Sequence, residues 1–477
     1  MTATEVRPGP AAYEGNPWLP MSVVMAATIM VVLDSTVVNV ALHEIGVDLG
    51  TGSGIEWVVT SYLLAVCAAQ PATGWLADRF GRKQIFVSSL AAFTIASVGC
   101  AAAPNLTFLV VFRVLQGLGG GALMPVGMAM ALDLFPRTRQ GRAMSIWGMS
   151  AMAAPALGPT VGGWLITSIS WHWLFLINLP IGVASVLAGI TLLPHIGHRE
   201  RRPFDALGLL SGSIGLSVAV FGLAQGSTWG WRSSSTIVCL AVGAGLLVGF
   251  VRHELHRSDP LIELRMFAER SFRLSIGIIM LVMTAQYARL VFVPLQLESL
   301  RGFTAFRVGT LFFVPAVFSA VGMLIGGRLV DSIGPRRPII IGCAGMFVAM
   351  LAFWLLTLTT PVWVIGTLMS LQGLSWGLTT SPSMIAGLGH LPGHLVAQGS
   401  AVRSLAGQVS GALAVAVLGA VVAARMGGNP TATQAQGAYN SAFLVGAGGV
   451  LVALFLAWRL PRLQQPEGDL LHHVPAE

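Results

Sequence analysis

From Trp18 onward the chain alternates long apolar runs with short polar breaks. A helix that crosses a bilayer needs ~20 mostly apolar residues, and these runs reach that length. They predict spans at about 18–42, 55–77, 84–103, 106–132, 143–168 and 172–194. Two more follow at about 205–224 and 234–251. The last six lie at about 272–298, 306–330, 338–358, 361–386, 398–424 and 438–459, which makes roughly fourteen. The runs are continuous rather than alternating, so they predict helices and argue against a β-barrel.

An even number of spans puts both termini on one side, and arginine placement says which. The loops after the second, fourth and sixth spans hold Arg79, Arg82 and Lys83; Arg137, Arg139 and Arg142; and Arg199, Arg201 and Arg202. Arg252, Arg257, Arg265, Arg270 and Arg273 lie between the eighth and ninth spans, and Arg336, Arg337, Arg459 and Arg462 come later on the same side. The opposite loops hold only Arg232, Arg301, Arg307 and Arg425. Positive loops stay inside, so both termini are expected in the cytoplasm. The first outer loop, Leu42 to Glu56, carries Glu44 and Asp48 and no basic residue, which agrees. The mixed-charge stretch 252–273 reads as a helix on the cytoplasmic surface.

Composition narrows the class further. The chain is 55% hydrophobic and 10% charged, with mean hydropathy +0.77. Soluble domains carry about 25% charged residues, so one large helical membrane body is expected rather than several soluble domains. The net charge of +8 resides in short loops, not in a stripe, and does not point to nucleic acid. The only lysine is Lys83, a skew consistent with a GC-rich genome. Cys67, Cys100, Cys239 and Cys343 all lie in apolar runs. They read as small buried hydrophobes, without disulfide or metal spacing. The polar start and a first run long enough to span argue against a cleavable signal peptide.

The chain also repeats itself. GWLADRFGRK, Gly74 to Lys83, follows the second span, and GRLVDSIGPR, Gly327 to Arg336, follows the tenth, at an offset of 253. LQGLGGG, Leu115 to Gly121, and LQGLSWG, Leu371 to Gly377, lie 256 apart. Two matches at nearly one offset imply a duplicated six-helix unit, the way many secondary transporters are built. The expected division is a tail at 1–17, a first bundle at 18–194 and two inserted helices at 195–256. A linker at 257–271, a second bundle at 272–460 and a tail at 461–477 complete it.

Charges inside the apolar runs carry the candidate chemistry. Asp34 lies within the first span, in LDSTVVNVAL. A charge at mid-bilayer costs at least ~2.5 kcal/mol on insertion scales, so such residues usually serve a function. Arg113 lies in the fourth span, and Asp34 is its simplest partner. An opposite charge lowers a carboxyl pKa while burial raises it, so a balanced Asp34 would load and release protons. A static buried ion pair that sets helix register is the other reading. Gln116, Gly117, Gly119, Gly120 and Gly121 follow, residues that let helices approach closely. In the fifth span Gly158, Pro159, Gly162 and Gly163 make a bendable stretch, read either as a hinge or as close packing.

Gly74, Asp78, Arg79, Gly81 and Arg82, with Asp331 of the repeat, are candidates for a latch at the cytoplasmic face. Simple topology anchoring is the alternative. Asn39, Gln116, Trp147, Gln286, Tyr287, Gln372 and Trp376 are candidates to line an apolar cavity with a few polar contacts. Arg289 either joins that cavity and attracts an acidic substrate group, or snorkels outward to Glu298. No metal-ligand pattern appears, and His172, His390 and His394 read as surface residues. GLSWG at Gly373 matches a hydrolase elbow formally but lies mid-span. Without a phosphate-binding lysine motif, ATP is not expected to drive the protein.

Taken together these motifs resemble the major facilitator superfamily, and within it the fourteen-helix drug:proton antiporters. LDSTVVNVAL is similar to that group's first-helix motif, GWLADRFGRK to the superfamily loop motif, and RVLQGLGGG to the fourth-helix motif. LGPTVGGWL resembles the fifth-helix antiporter motif. WHWLFLINLPIG (Trp171 to Gly182) and the run holding Pro294, Gly302, Gly309 and Pro315 follow the fourteen-helix pattern. The resemblance implies an all-α major facilitator fold of two six-helix bundles plus two helices. It also implies protonation at Asp34, coupling through Arg113, and an antiport hinge at Gly158 and Pro159. Departures occur at Ala154, where glycine is common, at His43 for proline, and at His172 for arginine. Near the thirteenth span Gly407 precedes Gln408, and Arg403 lies one turn earlier. Arg289 is outside the usual pattern, and few carboxylates lie deep.

The expectation is therefore a non-enzymatic, monomeric exporter in the inner membrane, without cofactor. It would exchange protons for a hydrophobic or amphipathic small molecule such as a drug or antibiotic. Export of a lipid or an acidic metabolite is one alternative. A passive channel or a non-transporting sensor is another.

Overall fold

The computed structural model describes residues 15–51, 54–136, 139–195, 205–257, 260–426 and 430–461. Among these residues the regular structure is helical. The first half contains α1 (Trp18–Asp48), α2 (Trp57–Phe80), α3 (Arg82–Ala101), α4 (Leu106–Leu134) and α5 (Gln140–Ser168). Its last rod is a short α6 (Trp173–Leu176) leading into α7 (Asn178–Leu192). The insertion is α8 (Ala206–Trp229) and α9 (Ser234–His256). The second half contains α10 (Arg270–Arg301), α11 (Ala305–Ile333), α12 (Arg336–Trp354), α13 (Val362–Leu388), α14 (Val396–Met426) and α15 (Ala432–Trp458).

Among the described residues eleven rods are long and apolar enough to cross a membrane on length and composition alone, α6 and α7 counting as one. The remaining long helices, α2, α5 and α13, bring the rods to the expected fourteen. Polar side chains at their starts satisfy amides that lack helical partners. Asn105 accepts from the Phe108 amide, Thr304 from that of Arg307, and Thr431 forms a capping box with Gln434.

The stretch 252–273 departs from expectation. It forms no surface helix among its described residues: α9 runs on to His256, a 3-10 turn covers Leu264–Ala268, and α10 begins at Arg270. Pro260 lacks the donor a continuing helix needs, and the Glu263 side chain caps the turn through the Arg265 amide.

The buried core has a lopsided arrangement. One apolar cluster runs through both halves at the arginine-rich end, joining Phe86, Met144 and Leu134 to Ile262, Phe272, Leu388 and Ala397. Toward the other end the first half has its own cluster, around Val38, Ile45, Leu109 and Phe175. The second half has another, around Phe292, Phe353, Met369 and Phe443. The insertion docks on α2: the Ser213 hydroxyl donates to the Ala68 carbonyl at 2.6 Å, and Trp57 stacks on Phe221 at 5.6 Å. Asp205, the N-cap of α8, pairs with His253 and Arg257 at the end of α9. Burial opposes its ionisation, but the Gly208 amide, His253 and Arg257 outweigh that and hold its carboxyl below the ordinary range.

Candidate functional site

Asp34 and Arg113 meet. An Arg113 Nη1–H donates to Asp34 Oδ2 at 2.6 Å, and both side chains are at most 1% exposed. The carboxylate's other oxygen accepts from Gln116 Nε2 and from Asn178 Nδ2, both at 2.9 Å. Those two amides also donate to the Ser97 hydroxyl at 2.6 and 2.9 Å. Arg113 Nε donates to the Val58 carbonyl at 2.9 Å, and the guanidinium lies over the Tyr62 ring at 4.1 Å. Three helices of the first half, α1, α4 and α7, supply charged and amide groups to one sealed knot, α3 adds the Ser97 hydroxyl, and the α2 backbone closes it. A buried ion pair is tolerable only when its remaining hydrogen-bonding capacity is filled, and here it largely is.

Glycines make the knot possible. A side chain at Gly119 would bring a carbon to 2.8 Å from the Phe93 amide nitrogen, and one at Gly117 to 2.6 Å from the Tyr62 carbonyl oxygen. The glycine run therefore lets α2 and α3 close on α4 and brings Tyr62 and Ser97 to the pair. Gln116, expected in the substrate cavity, belongs instead to this network, because its amide faces Asp34 and Ser97. Ser97, Asn178 and Tyr62 were not singled out from the sequence. Asn178 lies in the WHWLFLINLPIG motif, a signal that was available. Ser97 and Tyr62 have no signal of their own.

The arginine-rich end holds the latch candidates. Gln398, at the start of α14, donates to Asp78 at 3.1 Å and accepts from the linker amide of Glu263 at 2.9 Å. Arg82 pairs with Asp133 and donates to the Gly393 carbonyl at 2.7 Å. Asp331 accepts the Gly141 and Arg142 amides at 2.9 and 3.1 Å, which places a carboxylate on the N-terminus of α5. Gly74 packs against Gln398, and Gly327 against the Gly141 backbone, so each glycine of the repeat admits a helix of the opposite half. Gly81 and Gly334 both have positive φ, 95° and 77°, a turn that favours glycine. Arg79 is exposed. Further hydrogen bonds between the halves join Ser145 to Ser381, Gln70 to Ser404 and Cys67 to Gln408. Gln398, Asp133 and Gly393 were not anticipated: Gln398 and Gly393 meet partners of the opposite half, and Asp133 lies on a different helix from Arg82, so none leaves a local trace.

The hinge and cavity candidates are scattered more widely. Gly158 packs against Thr36, and a Cβ at Gly162 would stand 3.0 Å from Val37, whereas one at Gly163 would meet nothing within 4 Å. α5 runs unbroken through this stretch, and the side chain of Pro159 lies outside the described residues. Asn39 is exposed and donates to the Ser35 carbonyl. Trp147 is buried and donates to the Thr28 hydroxyl at 3.1 Å. Tyr287 packs against Gly411 of α14. Gln372 and Gln286 approach at 3.4 Å. Arg289 does not snorkel to Glu298: it is 5% exposed, whereas Glu298 stands exposed. Arg403 is buried as well, donating to the Thr380 carbonyl at 3.1 Å.

Comparison with known proteins agrees with this architecture. Residues 24–415 match the family model for the Major Facilitator Superfamily. The chain belongs to the major facilitator superfamily. It is therefore a multi-pass membrane transporter of small molecules and not an enzyme. A multidrug resistance protein B homolog of Mycobacterium tuberculosis is 31% identical over 404 residues, covering 83% of this chain and 74% of that protein. The tetracenomycin C resistance and export protein of Streptomyces glaucescens is 31% identical over 436 residues, covering 87% and 78%. Among solved structures, the proton:xylose symporter XylE bound to 6-bromo-6-deoxy-D-glucose superposes with a TM-score of 0.64. That match is at 15% identity and covers 93% of this chain and 96% of that one, which speaks to the fold alone.

Proposed function

We propose that the protein is a proton-coupled antiporter that exports hydrophobic or amphipathic small molecules across the inner membrane. It acts as a monomer, with both termini in the cytoplasm and no cofactor beyond the proton gradient. The observation that carries this reading is the sealed Asp34–Arg113 pair. Asp34 is the single acid deep in the first half, and its charge is held by Arg113, Gln116 and Asn178. A shift of α1 against α4 and α7 within the first half, driven by the rocking of the halves, parts Asp34 from these donors and removes what stabilises its anion, and the carboxyl then takes a proton. Re-forming the knot expels it. Two names among the relatives, one of multidrug resistance and one of antibiotic export, favour the outward direction and an amphipathic cargo.

In alternating access only one face is open at a time. The hydrogen bonds at the arginine-rich end support an arrangement closed to the cytoplasm. Gly74 and Gly327 then serve as the contact points, and Asp78 and Asp331 as the carboxylates that hold the opposing helix starts. Reconstituted in proteoliposomes with a pH gradient, the wild type is expected to move a hydrophobic dye such as ethidium, with counterflow of protons. Asp34→Asn, which keeps the shape and cannot ionise, is expected to lose at least about a hundredfold of the gradient-driven rate. Undiminished proton-driven transport by that variant overturns the assignment.

A further inference from the structure

The second half contains a buried cation with no acid to answer it. From Arg270 to Leu460 the chain has only two carboxylates, Glu298 and Asp331. Glu298 is exposed, and both oxygens of Asp331 accept amides of α5 at the arginine-rich end. Arg289 is buried, and its Nε and Nη1 have no hydrogen-bond partner among the described residues. Its guanidinium carbon lies 5.2 Å from the Phe312 ring centre, which offers a π face but no acceptor for those N–H groups.

Two further polar atoms in this half are in the same position. Gln372 Oε1 and Trp376 Nε1 are buried and unpartnered. Gln372 reaches α10 through long contacts of 3.4 Å with the Ala285 carbonyl and Gln286, one turn from Arg289. Trp376 follows one turn further along α13. Buried polar groups are nearly always satisfied, so open valences on the facing helices α10 and α13 mark a place where a partner is missing.

The internal repeat says what kind of place it is. Gln372 is the counterpart of Gln116, at an offset of 256. Arg289 lies 255 residues after Asp34, between the two repeat offsets of 253 and 256. The second half therefore rebuilds the position of the acid knot with the opposite charge and without the counter-ion.

We propose that this is the binding site for the acidic group of an amphipathic organic anion. Arg289 takes a carboxylate or sulfonate, Gln372 Oε1 accepts from a hydroxyl or amide of the ligand, and Trp376 Nε1 donates to it. Phe312 faces the guanidinium, and α10 and α13 contribute Phe292 and Met369 to the apolar core of this half, so a bare inorganic anion would lose water without gaining contact. An aromatic or aliphatic body attached to the acid supplies that contact. The proposal rests on the export reading for the identity of the site as a cargo site.

The test uses the full chain in lipid nanodiscs without a gradient. The probes are 11-(dansylamino)undecanoate, its methyl ester and the matching trimethylammonium compound. Energy transfer from tryptophan to the dansyl group reports binding. Wild type is expected to hold the carboxylate about tenfold more tightly than the ester, the range of one charge-assisted contact, and to hold the ammonium weakest. Arg289→Gln is expected to reduce the acid–ester ratio below about twofold. If that variant does not fold, Arg289→Lys decides, with an expected fall to roughly threefold because a point charge replaces the planar fork. A wild type that shows no carboxylate preference, or that binds no probe, overturns the proposal. So does a ratio unchanged in the variant that folds. Because no gradient is present, a clear carboxylate preference in a chain that fails proton-driven efflux would keep this site and discard the export reading.

Discussion

In the first half, Asp34 is surrounded by donors from α4 and α7, and those donors are held in turn by Ser97 and the Val58 carbonyl. At the related position of the second half, Arg289 has an aromatic face and two open N–H-bearing nitrogens. Both arrangements descend from the same repeated pattern of a charge on the opening helix and a glutamine on the fourth. In the first, both oxygens of the acid are answered by donors from its own half. The second is incomplete, and gains from a guest. A duplicated bundle thus carries two unlike charge sites: one copy holds an acid among donors already in place, and the other holds a cation with open N–H groups.

Thermal melting breaks or sharpens this comparison most directly. Arg113→Met leaves Asp34 buried with its main counter-charge gone, and is expected to cost about 3–5 kcal/mol of stability. Arg289→Met removes a buried cation that has no ion-pair partner, and is expected to be neutral or stabilising, since an apolar side chain of similar length fills the place. Equal destabilisation by the two substitutions would mean that the second half satisfies its arginine after all. A double variant, Asp34→Asn with Arg113→Met, is expected to recover part of the loss, because no charge then remains in the knot.

The latch gives the next effect. Asp331→Asn keeps the size but weakens two charge-assisted contacts to the start of α5, and about 1–2 kcal/mol should be lost from the closed arrangement. Spin labels on the arginine-rich ends of α5 and α11 are expected to show a larger share of long distances. An unchanged distribution would leave apolar contact and glycine packing as the whole latch. The smallest effect belongs to the insertion. Asp205→Ala removes a helix cap and should cost about 1 kcal/mol. The carboxyl of Asp205 is held below its ordinary range. Its contribution is therefore full above the unfolded-state value and is lost as pH falls through the lowered one. The melting difference between wild type and variant is expected to be constant near neutrality and to vanish in strong acid.

Much of this was legible in the chain. Span positions follow from hydropathy because backbone groups in lipid have no water to bind, so an apolar run of that length must be a helix. The expected span at 272–298 appears as Arg270–Arg301, longer at both ends because polar residues continue the rod past the apolar core. Asp34 and Arg113 were visible because charge is costly in such a run, and their pairing was inferable because neither has another opposite charge at mid-span in its half. Ser97, Tyr62 and Asn178 were not visible, since neutral polar residues are common in helices and cost little to place there. The sequence left two readings of Arg289. A side chain of that length reaches either solvent or the interior, and only the rotation of α10 about its axis selects between them.

What the chain determined by itself is its class, the number of its rods, the duplication and the short set of charges that lie deep. Those are one-dimensional properties, set by apolar length and by the cost of charge in lipid. Tertiary structure decided which charges are answered and which are left open. That depends on how each rod is turned and on which helix of the other half it meets, and both follow from close packing at glycines rather than from any pattern readable along one helix.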